Sequence, residues 1–438
     1  MKNREESVSA VMWVPLLWLL RCGSRSLAYW LDPEMAVVVE QDYLYGNPFD
    51  RYFFVVLEII GVSVLLWRRF TLLTFIKNNK LIVLLYLFMA VSMLWSQFPE
   101  VALRRWVRTM GDLIMVLVIL TEVDVEASVQ WMLRRFAYLL VPLSVILVKY
   151  YRHLGVAYDY SGRFEMWIGV TTHKNSLAQV AAVAALFFIW AFLRKKATLF
   201  DIPVMVMALW LLAGSRTSNS VTSILAFLLG SVLMVAFIRM KNVKALATFI
   251  ALVLPLLFLT EVVLEVFLRS SIFFEVLESS GRDESLTGRT DLWVEVIRIG
   301  MNHPFVGAGY GTFWMGDLTH NLWDIFPWRP GQAHNGYIDL FVETGFVGLL
   351  LIIAIVVRGI KSSWLMIANG DEYGKLRLIW IVLIIMYNIS ESSFTKPTTI
   401  LWFLFLLFAI HDPQEQQGQR AGEELAFETD VGEKSEEG

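Results

Sequence analysis

The sequence predicts an all-α polytopic membrane protein with about twelve transmembrane helices and one large external loop between late helices. Three observations carry that prediction. Hydrophobic residues make up 57% of the 438-residue chain and charged residues only 18%, with a mean hydropathy of +0.58. Soluble domains run near half apolar and a quarter charged, so this balance belongs to a chain solvated by lipid. Lys and Arg then concentrate in alternate short connections, which orients the chain. Finally, the remaining unusual polar residues fall on the opposite side of that threading.

A spanning helix needs roughly 20 mostly apolar residues. In order, the candidates are 8–22, 52–67, 80–96, 106–121, 131–149, 175–193, 199–214, 220–238, 243–264, 336–357, 376–390 and 398–411. The first and last are short, which leaves ten or eleven spans open. Lys2 and Arg4 precede the first run, no small-residue cleavage site follows, and Arg21 and Arg25 do. It therefore reads as a retained membrane segment. With the N-terminus inside, the inner loops carry Arg68, Arg69, Lys77 and Lys80, then Arg194, Lys195 and Lys196. Arg239, Lys241 and Lys244 follow, then Arg358, Lys361, Lys375 and Arg377. The acidic stretch 122–130 breaks the pattern, with Arg134 and Arg135 just beyond it. No internal repeat divides the chain into two similar halves. The organisation expected is N-terminal helices over 1–264, a large external loop over 265–335, C-terminal helices over 336–411 and a disordered acidic inner tail over 412–438.

The outer connections run against the insertion bias. Arg104, Arg105 and Arg108 follow one helix, and Arg163, His173 and Lys174 lie in the connection 150–175. Arg216 sits in GSRTSNS, Arg289 in GRTDLW, and Glu391 between serines in NISESSF. Arginine suits phosphate because its planar fork donates parallel hydrogen bonds and keeps its proton. A single interfacial arginine more often snorkels or pairs with lipid. Arg216 and Arg289 rank above the rest, since small neighbours allow close backbone approach. His173-Lys174-Asn175 fits either contact with phosphate or sugar hydroxyls, or an interface anchor with Asn175 capping a helix.

QAHNGYIDLFVETG, from Gln332 to Gly345, places a histidine and carboxylates at the mouth of a long apolar segment. Such groups are costly in hydrocarbon and invite a functional reading. His334 is the best candidate for proton transfer at neutral pH. Asn335 fits either the loop geometry or a helix cap. Asp339 and Glu343, four apart, share a helix face. Either could neutralise an arginine, and Asp339 could orient His334. Glu343, Glu391, Asn335, Arg163, His173 and Lys174 are the candidate substrate contacts. Cys22 is the one cysteine, so neither disulfides nor a cysteine metal site is expected. No HExxH, paired-histidine spacing or P-loop occurs, so neither metal nor nucleotide is expected as cofactor. A net charge of -3 gives no reason to expect nucleic acid.

The succession GSRTS, GRTDLW, NHPFVGAGYGTFW and HNGYIDLFVETGFVG resembles the O-antigen ligase/polymerase superfamily of bacterial envelope proteins. The resemblance spans roughly 175–394. THKN and SESS resemble its exopolysaccharide-polymerase branch. It implies a GT-C-like fold with the large loop in the periplasm and the active site facing it, in the bacterial inner membrane. It also implies transfer of a glycan from an undecaprenyl-diphosphate-linked donor to lipid A-core or another lipid-linked glycan, inverting and without metal or nucleotide sugar. By the same resemblance Arg216 and Arg289 hold the diphosphate and His334 is the acceptor base. A transporter or flippase of lipid-linked oligosaccharide or an anionic solute is the alternative. It would spread its cations through the membrane depth, whereas here the inner halves of the helices are bland.

Overall fold

The computed structural model describes residues 8–31, 47–158, 162–216, 218–239, 245, 248, 284–326 and 328–411. A 3₁₀ turn, Ala10–Met12, leads into α1 (Trp13–Cys22), followed by α2 (Leu27–Leu31) and α3 (Pro48–Trp67). Next come α4 (Leu72–Asn78), α5 (Lys80–Val91), α6 (Pro99–Leu120), α7 (Val125–Tyr150) and the single turn α8 (Arg152–Gly155). Strands β1 (Val156–Tyr158) and β2 (Glu165–Trp167) precede α9 (Lys174–Leu193), α10 (Asp201–Ala213) and α11 (Val221–Arg239). The chain then forms α12 (Glu284–Gly300), α13 (Gly316–Ile325), α14 (Gly336–Ala368), α15 (Glu372–Ser390) and α16 (Ile400–Ala409). The expected helix 243–264 (apart from Ala245 and Thr248), the loop before 284 and the tail 412–438 lie outside the described residues.

Helices occupy each expected apolar segment that is described, but among the described residues fewer than twelve are long and apolar enough to be full spans. Among the described residues five helices are long and apolar enough to cross a membrane: α7, α9, α11, α14 and α15. A sixth arises if α4 and the following Lys80–Leu94 form one span, bent there by 100°. The physical reason for the shortfall is length or charge. Ten-residue α16 rises only about 15 Å against a hydrocarbon thickness of about 30 Å, and every one of its residues is buried in protein. Asp50, Arg51 and Glu58 interrupt α3, and Glu100, three arginines and Asp112 interrupt α6. Even so, Val56, Ile59, Leu66 and Trp67 on α3 remain exposed, as a lipid-facing stripe requires. The expectation of helices alone is also corrected. The connection 150–175 folds into a two-stranded antiparallel hairpin, pairing Val156 with Trp167 and Tyr158 with Glu165.

Long-range hydrogen bonds sort the connections into two sets, as the threading requires. One set joins Arg68 to Glu122, Arg194 to Glu372 at 2.6 Å, Lys196 to Glu126 at 2.8 Å and His411 to Asn79 at 2.9 Å. The other joins Ser96 to Thr312 at 2.8 Å, Lys174 to Ser218 at 2.7 Å, Arg289 to Ser390 at 3.1 Å and Lys396 to Asp339 at 2.6 Å.

The longest helix is broken where the loop after α12 meets it. Gly345 inside α14 has φ +63° and ψ −165°, outside helical space. Residues 304–309 fill the gap. Phe346 N–H donates to Pro304 O at 2.8 Å and Val347 N–H to Phe305 O at 3.1 Å. In return Ala308 and Gly309 donate to the carbonyls of Val342 and Glu343, at 2.9 and 3.0 Å. A broken helix in an apolar protein must have its backbone groups re-paired, and this loop does it. The approach is close enough that a Cβ on Gly345 would sit 2.3 Å from the Phe305 carbonyl carbon.

Candidate functional site

The second set of connections converges on Glu391. Its position follows from the end of α15, where Glu391 is the C-cap and its N–H still donates to Tyr387 O at 2.9 Å. One carboxylate oxygen accepts from the Asn175 side-chain amide. The other lies 3.9 Å from His334 Nδ1. Arg289, on α12, donates to the neighbouring Ser390 carbonyl at 3.1 Å, and Ser390 Oγ hydrogen-bonds Thr222 Oγ1 at 2.7 Å. Burial alone would push the Glu391 pKa up. The neighbouring His334, with Arg289 and His173, outweighs it and holds the carboxyl below the ordinary glutamate value.

The start of α9 is built to present Asn175. His173, extended at φ −146°, is the N-cap, and its Nδ1 accepts from Asn175 N–H at 3.2 Å. That contact requires the Nδ1 lone pair, so the neutral ring fits. Desolvation lowers the His173 pKa, reinforced by the charges of Lys174, His334 and Arg289 and opposed by Glu391. The loop before it is anchored by Arg25, which is buried at 2% exposure. The Arg25 guanidinium donates to Leu154 O and Thr171 O, each at 2.8 Å, and to Gly169 O. Lys174 reaches sideways to Ser218 Oγ, at 2.7 Å, in the loop that carries Arg216.

His334 is positioned from its other side. Its backbone lies in the left-handed region at φ +54°, which costs a non-glycine residue about 1–3 kcal/mol and is a feature of functional sites. Gln332 Nε2 lies 3.2 Å from His334 Nδ1, while Gln332 Oε1 accepts from Lys396 Nζ at 3.3 Å. Lys396 also pairs with Asp339 Oδ2 at 2.6 Å. The other Asp339 oxygen accepts from Trp314 Nε1 at 2.8 Å and Ala333 N–H at 3.0 Å. Trp293 Nε1 closes the turn by donating to Ala333 O at 2.7 Å.

His334, Glu391, Arg289 and His173 are thus brought together, with Lys174 one residue from His173. Arg216 is exposed on the 214–220 loop and makes no hydrogen bond or ion pair among the described residues. Arg163 is exposed in the turn between β1 and β2. Asn335 is fully buried, its Oδ1 accepting from Tyr337 and Ile338 N–H at 3.0 and 3.2 Å. Glu343 lies deeper, accepting from Gly311 N–H at 3.2 Å beside the break in α14. Two sequence readings are revised. The cap of α9 is His173 rather than Asn175, which reaches Glu391. The carboxylate beside His334 is Glu391 rather than Asp339, which Lys396 occupies. The positioning roles of Lys396, Gln332 and Arg25 at the site escaped sequence reading. A lysine within TKPTT was the one visible cue, because its partners lie 57 and 64 residues away.

The comparisons with known proteins bear on the same region. Residues 204–353 match the family described as O-Antigen ligase, a stretch that contains Arg216, Arg289, His334 and Glu343. The chain is also similar to the exopolysaccharide production protein ExoQ of Rhizobium meliloti (strain 1021), 25% identical over 299 residues. That similarity covers 65% of each chain, just under two thirds of the relative's length. His173, Asn175 and Glu391 lie outside the matched family segment.

Proposed function

We propose, from the premise that the chain falls in the O-antigen ligase/polymerase superfamily, that it transfers a glycan from undecaprenyl diphosphate to an acceptor hydroxyl at the periplasmic face of a bacterial inner membrane. The observation that carries the reading is the His334–Glu391 pair, 3.9 Å apart and bordered by Arg289. In this reading His334 takes the acceptor O–H proton as the acceptor oxygen bonds to the anomeric carbon. The carbon–oxygen bond to the diphosphate breaks with inversion, and the leaving undecaprenyl diphosphate keeps the electron pair. Glu391 stabilises the imidazolium that results, as a carboxylate does beside a catalytic histidine. Arg289 and Arg216 neutralise the leaving group, where fixed donors act most strongly. The exposure of Arg216 on a loop tied to Lys174 by Ser218 supports a role taken up when the donor arrives. The relative's name, an exopolysaccharide production protein, supports a polymerase over a ligase.

The test uses purified protein in nanodiscs with undecaprenyl-diphosphate oligosaccharide from its host, with and without lipid A-core. A ladder of longer lipid-linked glycans without added acceptor identifies a polymerase, and a single transfer dependent on lipid A-core identifies a ligase. No release of undecaprenyl diphosphate under either condition, with lipid-linked sugar still bound, overturns transfer in favour of transport.

A further inference from the structure

A cavity of about 210 Å³ lies beside the cluster, lined among others by Arg21, Thr172, Ser176, Gln179, Thr398 and Thr399. It shares two segments with the candidate site. The stretch 171–180 turns His173 and Asn175 towards Glu391 and Ser176 and Gln179 towards the cavity. The TKPTT loop gives Lys396 to Asp339 and Gln332, and Thr398 and Thr399 to the cavity. That loop is held under strain, with Thr395 and Thr398 at φ +56° and +58°. It is pinned by Tyr310 Oη on Thr395 O at 2.7 Å and by Thr398 N–H on Asp112 at 3.0 Å. Conformations of this kind persist where the surroundings over-determine them.

We infer that this cavity is a subsite for one uncharged sugar unit of the glycan, an inference that rests on the glycan-transfer reading. Four observations select that chemistry. The side chains of Thr172, Ser176, Gln179 and Thr398 have no hydrogen-bond partner among the described residues, so hydroxyl and amide groups are available to a ligand. Ser176 and Gln179 are three apart on α9 and present one face. Arg21 is the cation present, and Asp50 neutralises it at 2.7 Å, which disfavours a phosphate and suits neutral hydroxyls. The volume is below the roughly 300–1,000 Å³ of drug-sized sites, room for one small ring rather than an oligosaccharide or an isoprenoid tail.

The decisive experiment separates binding from turnover. The oligosaccharide repeat unit, released by mild acid from the host's lipid-linked glycan, is titrated against wild type, Gln179→Leu, Ser176→Ala and His334→Ala in nanodiscs. Each pocket variant should weaken binding about tenfold, as the loss of a hydrogen bond from a polar pocket implies, and His334→Ala should bind as wild type. Turnover of the same variants should show KM rising more than kcat falls. A rise in the acceptor's KM or in the donor's assigns the sugar to that substrate. Wild-type saccharide affinity in both pocket variants, with melting temperatures unchanged, overturns the subsite while leaving transfer intact. Variant-sensitive binding in a protein that never releases undecaprenyl diphosphate upholds the subsite and overturns transfer.

Discussion

At the scale of the residue, the chemistry turns on whether Glu391 is ionised beside His334. Replacing Glu391 with Gln keeps the Asn175 contact and removes the charge. The turnover rate should fall by at least about tenfold, and by about 10²–10⁴ for His334→Ala, with donor binding retained in both. Glu391→Gln with the wild-type rate would remove the carboxylate from the mechanism. The depressed Glu391 pKa has a consequence for stability. A carboxyl whose folded pKa lies below its unfolded value stabilises the fold above the latter, here the ordinary 4.5, and loses that contribution as pH falls through the folded value. The melting temperature of wild type should therefore exceed that of Glu391→Gln near neutral pH and converge on it in acid. A wild type that instead gains on Glu391→Gln as pH falls from 7 to 4.5 would show Glu391 to be protonated in the fold.

At the scale of the element, the break in α14 and the loop that fills it form one unit. Gly345 at φ +63° and Gly307 at φ +69° face each other's segments at close range. A Cβ on Gly307 would lie 2.4 Å from the Glu343 carbonyl carbon. An alanine at either place meets backbone, which cannot step aside, and adds a strain of about 1–3 kcal/mol from φ alone. Gly345→Ala and Gly307→Ala should each lower the melting temperature and the yield of monodisperse protein. Gly370→Ala, at φ +84° with nothing near its Cβ, should suffer the φ penalty alone and serve as the milder control. Equal losses in all three would mean that the loop's approach contributes nothing. This architecture explains why the NHPFVGAGYG stretch is so rich in glycine, which its composition alone does not reveal.

At the scale of the whole molecule, the prediction concerns sidedness. Two sets of connections bond within themselves, and the basic set includes Arg194, Lys196 and Arg68. By the bias of Lys and Arg towards the cytoplasm, the Glu391 cluster is expected to face the other side. In a Cys22→Ser background, Arg163→Cys should react with a membrane-impermeant maleimide on intact spheroplasts, and Lys195→Cys only after lysis. The reverse pattern would put the cluster in the cytoplasm and remove the periplasmic donor from consideration.

The sequence by itself determined the helical segments, their alternation and the residues worth watching, because lipid solvation imposes long apolar runs and the insertion bias leaves its mark in lysine and arginine. His334, Arg289, His173 and Glu391 stood out for the same reason: polarity beside hydrocarbon is visible along a line of residues. Only the structure fixed the length and burial of each helix, as in α16, whose ten residues are all buried in protein. It alone also paired His334 with Glu391 and gave Asp339 to Lys396. Those partners are 57 residues apart in each case, and no spacing rule reaches from one helix end to another across a fold.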